Sequence, residues 1–131
     1  MDWSYIAGFF DGEGNISVAR SRKFLNGNIA YIIIRIYQKD IVVLEEIKKF
    51  LGYGHIYVAK DGVNELTFNK KSNVKTFLES IKDIAIVKRA QILYLLNNYS
   101  FEWNSNLHFD LDDYRKLITR ENAEGLRKHH T

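Results

Sequence analysis

The sequence predicts a single α+β domain with an antiparallel four-stranded sheet and helices on one face of that sheet. A strand–strand–helix unit occurs twice in succession, and the predicted strands alternate apolar and polar residues. The 131 residues, 46% of them hydrophobic, suffice for one domain with a core. Because no Pro-, Gly- or Ser-rich linker divides the chain, we expect residues 1–131 to form that one domain.

An apolar helix is the first predicted element, over residues 3–10. Asp11 and Glu13 follow at its C-terminal end, where the helix dipole disfavours a carboxylate by about 0.3–1 kcal/mol. Gly12 suits an ordinary helix stop, since glycine is a frequent C-cap. Two acids at an unfavourable place nevertheless indicate that another interaction requires them.

One face of this helix is nearly bare of side chains. Gly8 and Gly12 lie four residues apart and so share a face, with Ala7 beside them. Glycine inside a helix costs about 1 kcal/mol relative to alanine, and the close approach of another backbone is a physical reason to keep it. We expect a second helix to pack there against Ala7, Gly8, Asp11 and Gly12.

The first strand–strand–helix unit follows this helix. Residues 15–19 and 30–37 alternate in polarity on both sides of an Asn-Gly-Asn turn at residues 26–28, as in a β-hairpin. Asp40 then caps a helix whose apolar residues recur at helical spacing, and Gly52 ends it.

The second unit repeats that order. Strands are predicted over residues 55–60 and 63–69 on both sides of an Asp-Gly turn, and a helix capped near Ser72 follows them. Two further helices are expected, one over residues 86–99 and one starting at Asp110.

Pleating assigns the strand side chains to two faces. We expect the helices to cover an apolar face made of Ile16, Val18, Ile32, Ile34, Ile36, Ile56, Val58, Leu66 and Phe68. The opposite face is rich in tyrosine and in hydrogen-bonding groups, and it consists of Asn15, Ser17, Ser21, Lys23, Tyr31, Arg35, Tyr37, His55, Tyr57, Glu65, Thr67 and Asn69. A merely solvated face of an antiparallel sheet is common and needs no ligand.

The opposite face also suits nucleic acid. Arg35 matches guanine edges, asparagine matches adenine, and a two-stranded ribbon fits the major groove. The residues expected at phosphates are Lys23, Lys60, Lys70 and Lys71. Single-stranded nucleic acid stacked on Tyr31, Tyr37 and Tyr57 is the alternative. The net charge of +3 permits such partners without requiring them.

Composition excludes several classes of protein and site. The chain has no cysteine, which excludes disulfides and thiolate zinc sites, and its four histidines include no pair at metal-ligand spacing. An EF-hand loop is excluded because Ile16 stands where glycine is needed and Arg22 where the bidentate acid belongs. Without a membrane-length apolar run or a signal-peptide pattern, we expect an intracellular protein that is neither secreted nor membrane-bound, cytoplasmic in a prokaryote or organellar otherwise.

Residues 6–14, Ile-Ala-Gly-Phe-Phe-Asp-Gly-Glu-Gly, followed by two strand–strand–helix units, resemble the LAGLIDADG homing endonuclease family. Five positions agree with its motif, if glycine is accepted for the usual small residue: Ala7, Gly8, Asp11, Gly12 and Gly14. Glu13 replaces the final aspartate and keeps the carboxylate. The resemblance implies an αββαββα core with extra C-terminal helices and a saddle-shaped sheet that binds double-stranded DNA. With one motif per chain, it also implies a homodimer and a near-palindromic target.

The resemblance further implies a site-specific endonuclease that cuts both strands and leaves short 3′ overhangs. Glu13 from each protomer and the carbonyl oxygen of Gly12 would hold Mg²⁺, or Mn²⁺, or Ca²⁺ in a non-cleaving complex. The expected chemistry is two-metal phosphodiester hydrolysis, without a covalent nucleophile. Asp11 is expected to shape the helix end and not to bind metal.

Gln38 and Lys88 match supporting positions of the family. Gln38 would organise the attacking water, and Lys88 would stabilise charge near the cleaved phosphate, with Lys82 and Arg89 as alternatives. A non-cleaving intron maturase or DNA-binding regulator is the alternative function, against which the presence of Glu13 argues. A small-molecule enzyme is disfavoured because the chain has no other nucleophile–base or phosphate-loop signature.

Overall fold

The computed structural model describes residues 1–21, 29–102, 106 and 109–119, with Ser21 described by its backbone alone. Its elements are α1 (Trp3–Glu13), β1 (Gly14–Ser21), β2 (Ile29–Gln38), α2 (Ile41–Leu51), β3 (His55–Tyr57), β4 (Asn64–Phe68), α3 (Lys71–Ile81) and α4 (Arg89–Asn98). Residues 111–119 are also helical and are called α5. The predicted α+β class and the order αββαββα with extra C-terminal helices are confirmed. The predicted turn at residues 26–28 lies outside the described residues.

The sheet is antiparallel throughout and has the strand order β1-β2-β4-β3. The second strand of each hairpin is therefore central, and the two central strands pair with each other through Ile34 and Phe68. On the outer side of β2, Ile16 lies opposite Ile34. This register brings the apolar residues of the strands to one face, which the helices cover.

Aromatic rings join α1 and α3 to the sheet. The ring centroids of Phe10 and Phe77 are 5.1 Å apart, and so are those of Phe77 and Phe68, both pairs meeting edge to face. Gly14, where α1 passes directly into β1, has no room for a side chain, because a Cβ there would collide with the ring of Phe10. The core thus fixes the end of α1 to the start of the sheet.

The predicted end signals of α2 and α5 act as expected. Asp40 Oδ1 accepts a hydrogen bond from Val42 N at 3.0 Å, which caps the start of α2. Gly52 ends α2 in the left-handed conformation, with φ of 82°. Asp110 Oδ1 accepts from Asp113 N at 2.9 Å at the start of α5.

Several predicted boundaries need correction. β3 ends at Tyr57, so the predicted burial of Val58 is wrong: this residue lies beyond the paired part of the strand and is 71% exposed. The helix expected to be capped near Ser72 has Lys70 as its N-cap residue, two residues earlier, and has no side-chain cap. The helix expected from residue 86 begins at Arg89, because the residues before it form a turn.

The C-terminal segment braces the outer strand β1. Tyr114 Oη donates to the carbonyl oxygen of Ile16 at 3.3 Å, and Arg20 Nη2 donates to that of Phe109 at 2.6 Å. Among the helices that the structure describes, none combines the length and the apolar character that crossing a membrane requires.

Candidate nucleic-acid interface and metal site

The strand register arranges the polar face of the sheet into rows. This polar face consists of Asn15, Ser17, Tyr31, Arg35, Tyr37, His55, Tyr57, Glu65 and Thr67. One row crosses all four strands in the order Asn15, Arg35, Thr67 and His55. A neighbouring row contains Tyr37, Glu65 and Tyr57. Directly opposed side chains of antiparallel strands lie in contact range, so the rows form one continuous surface.

Polar contacts hold Arg35 at the centre of this surface. Its Nη1 donates to Ser17 Oγ at 3.0 Å, and that hydroxyl donates to Asn15 Oδ1 at 2.6 Å. On the other side, Arg35 Nε lies 3.6 Å from Glu65 Oε1. A guanidinium has five N–H donors, so these contacts orient Arg35 and still leave donors for a ligand. We call these four residues the Arg35 network.

Aromatic groups surround the Arg35 network. The rings of His55 and Tyr57 are 4.3 Å apart, and Tyr57 is 56% exposed, with ring area available for contact. Burial, followed by the negative charge of Glu65, raises the pKa of Tyr37 above its ordinary value. Like an ordinary tyrosine, Tyr37 is a neutral hydroxyl at physiological pH and has a hydrogen to donate.

Other predicted members of the face have different outcomes. Asn69 lies just past the end of β4 and is exposed. Lys23 and the side chain of Ser21 lie outside the described residues. Ile33, opposite Ser17, shares the face and was not predicted to belong to it. The alternation of β2 would have identified Ile33, whose apolar side chain suits contact with a thymine methyl group.

The open face of α1 contains both predicted glycines. Gly8 and Gly12 are exposed, and a Cβ built on either has no neighbouring heavy atom within 4 Å. Beside them, the rings of Tyr5 and Phe9 stack at 5.9 Å. Ala7 does not belong to this face: it is 0% exposed and lies in the core of the chain, so its predicted place in an interface is wrong.

Glu13 is the last residue of α1 and is exposed. The carbonyl oxygen of Gly12 belongs to the last turn of that helix, where carbonyl groups lack intrahelical partners and form the negative end of the dipole. A carboxylate beside such carbonyls is a fitting donor set for a hard divalent cation. The described residues contain no cluster of three or more potential His, Cys, Asp or Glu ligands, so a metal there would take its other oxygen ligands from elsewhere, such as water, a phosphate or a second protomer.

Asp11 joins the end of α1 to the turn before α4. Its Oδ2 accepts a hydrogen bond from Ile86 N at 2.7 Å, and its Oδ1 accepts from Lys88 N at 3.1 Å. In return, Lys88 Nζ donates to the carbonyl oxygen of Asp11 at 2.9 Å. We call these three residues the Asp11 junction. The sequence pattern did not predict this contact, because Ile86 and Lys88 lie 75 and 77 residues after Asp11 in the chain.

The Asp11 junction brings the predicted basic residue to the motif helix. Lys88 Nζ also lies 5.5 Å from the centroid of the Phe10 ring. Burial lowers the pKa of Lys88 below its ordinary value, and the charge of Asp11 opposes that shift. Of the two alternatives to Lys88, Arg89 instead donates to the carbonyl oxygen of Asp83 at 3.3 Å.

Gln38 lies at the end of β2, where its carbonyl turns back on the chain. Gln38 Oε1 accepts from Lys39 N at 2.8 Å and from Asp40 N at 3.3 Å. The neighbouring Asn64, which is buried, donates to the carbonyl oxygen of Lys39 at 3.1 Å. This segment is therefore well held, and the role of Gln38 towards a catalytic water stays a prediction.

The motif helix and the two units after it agree with a known family. Its model, described as LAGLIDADG endonuclease, matches residues 6–118. The chain belongs to the LAGLIDADG endonuclease family. The match includes most of α1, the whole sheet and nearly all of the C-terminal helices, so the predicted membership is confirmed.

Solved structures of LAGLIDADG proteins resemble this chain. The homing endonuclease I-CvuI, in complex with its target in the presence of Ca, is 27% identical, with a TM-score of 0.67 and coverage of 72% of this chain and 63% of I-CvuI. The homing endonuclease I-TnaI is 28% identical, with a TM-score of 0.63 and coverage of 74% and 70%. An archaeal intron-encoded homing endonuclease complexed with DNA is 23% identical, with a TM-score of 0.60 and coverage of 92% and 96%, which shows a common fold. The present chain therefore spans less than two thirds of I-CvuI.

Proposed function

We propose that this LAGLIDADG protein is a site-specific double-strand DNA endonuclease that acts as a homodimer with a divalent metal ion. The observation that supports it most is the exposed carboxylate of Glu13 at the end of the family's motif helix. Its target is a near-palindromic DNA site, since a two-fold dimer presents the same reading surface to both half-sites. Hydrolysis of both strands leaves short 3′ overhangs.

The polar face is the proposed DNA-binding surface. Its rows follow two-stranded ribbons, which fit the major groove of B-DNA. Arg35 reads a base edge, while the exposed Lys60 and Lys70 contact phosphates. The polar-face residues of the second protomer repeat these contacts on the other half-site. Support comes from I-CvuI, which is similar over most of this chain and is named in complex with its target.

The open face of α1 is the proposed dimer contact. Gly8 and Gly12 allow a second α1 helix to approach backbone to backbone, because neither presents a side chain. Such a contact brings the two Glu13 carboxylates towards the two-fold axis, since Glu13 ends the same helix. The centre of the dimer would then hold the oxygen atoms that one protomer lacks.

Glu13 and the carbonyl oxygen of Gly12 are the proposed ligands for Mg²⁺. A divalent cation bound there supplies charge neutralisation at the scissile phosphate. Structures of I-CvuI named with Mg and with Ca support a divalent ion at such a site. Lys88, held at the end of α1, stabilises negative charge as the phosphodiester bond breaks, and Gln38 orients the attacking water.

A direct test compares the wild-type protein with Glu13→Gln on a randomised library of double-stranded DNA, with and without Mg²⁺. The wild type is expected to cut a defined set of sequences only when Mg²⁺ is present. Glu13→Gln keeps the size and hydrogen bonding of the side chain but loses its charge, so cutting is expected to cease while DNA binding in Ca²⁺ persists.

Two outcomes would change the proposal. Specific cutting that survives in Glu13→Gln would remove Glu13 from the catalytic site. Specific binding by the wild type without cutting, at any Mg²⁺ or Mn²⁺ concentration, would identify a non-cleaving DNA-binding relative such as a maturase or a regulator.

A further inference from the structure

We propose that Asp11 is a positioning residue, which sets the location of Lys88 relative to the metal-binding end of α1. This inference rests on the proposed function, because it assigns Asp11 a part in that reaction. In the proposed site, Asp11 touches neither metal nor phosphate. It acts through Lys88, and both oxygens of its carboxylate accept hydrogen bonds within its own protomer.

In the Asp11 junction, Asp11 and Lys88 each donate or accept hydrogen bonds through both main chain and side chain. Both oxygens of its carboxylate accept main-chain N–H groups, at 2.7 Å from Ile86 and 3.1 Å from Lys88. The ammonium group of Lys88 returns to the main chain of Asp11 at 2.9 Å. Two hydrogen bonds therefore fix both ends of Lys88, its main chain and its side-chain tip, to Asp11, and a third joins Asp11 to Ile86.

The Asp11 junction also explains why a carboxylate stands at the C-terminal end of α1, where the helix dipole disfavours it. Lys88 is the N-cap residue of α4, whose first N–H groups lack intrahelical acceptors. A carboxylate near a helix N-terminus is favoured by the helix dipole. Asp11 thus lies at the C-terminal end of α1, where the dipole disfavours a carboxylate, and near the N-terminal end of α4, where the dipole favours one. The favourable interaction with α4 offsets the unfavourable one with α1.

The geometry makes the position of Lys88 depend on Asp11. Lys88 follows a turn whose exposed residues Ile84, Ile86 and Val87 make little use of the core, with 40%, 76% and 64% of their surface accessible. Ala85, in the same turn, is buried, so its packing and the hydrogen bonds to Asp11 together hold the turn in place. Because the alignment of a charged group with a reacting phosphate is sensitive to shifts of about 1 Å, a looser turn would slow the reaction.

A double-mutant cycle tests this role. The variants are Asp11→Asn, Lys88→Met and the double substitution, and the rate of single-turnover DNA cleavage is measured at saturating DNA and Mg²⁺. Asp11→Asn is expected to lower the rate by roughly 10- to 100-fold. DNA affinity in Ca²⁺ and the Mg²⁺ concentration for half-maximal rate should stay within about twofold of wild type. In the Lys88→Met background, Asp11→Asn should cause no further loss.

Asp40→Asn is the matched control. Asp40 also accepts from a main-chain N–H group at the start of a helix, but its partner is Val42 in α2. Its rate is expected to equal that of the wild type. If the rate losses of the two single variants multiplied in the double variant, Asp11 would act independently of Lys88, which would overturn the proposal. A large rise in the Mg²⁺ concentration that Asp11→Asn requires would also overturn it, because Asp11 would then be a metal ligand.

Amide hydrogen exchange tests the hydrogen bonds of the Asp11 junction independently of DNA cleavage. Exchange at Ile86 and Lys88 should accelerate in Asp11→Asn, whereas the amide of Val42 should be unaffected. Unchanged exchange at both positions would refute the positioning role. If the wild-type protein cut no DNA, the proposed endonuclease function would be wrong. Amide hydrogen exchange would then still show whether Asp11 holds Lys88 in place.

Discussion

The Arg35 network and the Asp11 junction differ in the distance along the chain between their partners and in the direction of their polar groups. Arg35 and Ser17 are 18 residues apart on paired strands, and their side chains lie on an open face. Asp11 and Lys88 are 77 residues apart, and the carboxylate of Asp11 turns inward to main-chain N–H groups. The first arrangement presents donors to a ligand, whereas the second fixes one helix end relative to another.

This difference predicts a division of labour. Changes in the Arg35 network should alter which DNA sequence is bound and leave the rate of cleavage in the bound complex unchanged. Changes around α1 should alter cleavage and leave the preferred sequence unchanged. The following substitutions test that division, and the expected effects decrease from the first to the last.

Gly8→Leu, in α1, should have the largest effect of these substitutions, because it should disrupt the proposed dimer. A Cβ at Gly8 meets no atom within the protomer, so the folded chain should tolerate the leucine. At a close helix contact, overpacking costs about 1–3 kcal/mol for each substituted helix, so the dimer dissociation constant should rise at least about 30-fold. Sedimentation should show monomers, and DNA cleavage should be lost.

Glu46→Leu on the exposed side of α2 is the control for Gly8→Leu. It adds the same side chain at an exposed position of a helix other than α1, and its dimer should be unchanged. A Gly8→Leu protein that sediments as a stable dimer would show that the open face of α1 is not the interface.

Arg35→Ala should change recognition and not catalysis. Loss of the oriented guanidinium should weaken binding to the preferred sequence by about 1–3 kcal/mol per half-site and relax a preference for guanine. The single-turnover rate at saturating DNA should stay at the wild-type value. Selection of bound sequences from a random library, followed by cleavage assays on the preferred site, measures both quantities.

Lys60→Ala is the comparison for Arg35→Ala. Lys60 lies on an exposed turn and is proposed to contact phosphate, so its loss should weaken binding to all sequences equally and reduce the salt dependence. If Arg35→Ala also weakened all sequences equally, Arg35 would be a phosphate contact and not a base reader.

Asp40→Ala should affect stability alone. Its carboxylate caps α2 through Val42 N, and removal of such a cap costs about 1 kcal/mol. Urea denaturation should show this loss, while base preference and cleavage rate stay unchanged. A fall in cleavage rate would mean that the start of α2, next to Gln38, takes part in catalysis.

Ser17→Ala should have the smallest effect. The hydroxyl of Ser17 links Arg35 to Asn15, and a hydrogen bond of this kind contributes about 0.5–1.5 kcal/mol. The guanine preference should weaken and not disappear, because Glu65 still contacts Arg35 from the other side. A guanine preference identical to wild type would show that Arg35 needs no orientation by Ser17.

Much of the sheet could be predicted from the sequence, because its signals are local. Alternation along β1 and β2 assigned Ile16 and Ile34 to the core and Asn15 and Arg35 to the open face, and all four lie as predicted. The prediction failed at Val58, where pairing ended earlier than the alternating pattern. The pattern shows which face a paired residue occupies, but the extent of pairing depends on the neighbouring strand.

The site was less predictable, because its contacts join distant parts of the chain. The motif located Glu13 and the two exposed glycines, but nothing in the residue pattern excluded Ala7 from their face. Whether a small helical residue faces the core or solvent depends on how the helix is rotated against the sheet. Here the large side chains of Ile6 and Phe10 set that rotation, and Ala7 turns inward with them.

The sequence by itself determined the element order, the two faces of the sheet and the motif that identifies the family, since each depends on residue spacing over a few turns or strand repeats. Only the tertiary structure decided that Asp11 binds Ile86 and Lys88 and that Arg35 lies between Ser17 and Glu65. A hydrogen bond depends on distance and angle, and these follow from how the packed elements place their groups. For that reason the two acids at the end of α1 look alike in the sequence, whereas in the fold Asp11 is half-buried and hydrogen-bonded to Ile86 and Lys88, and Glu13 is exposed to solvent.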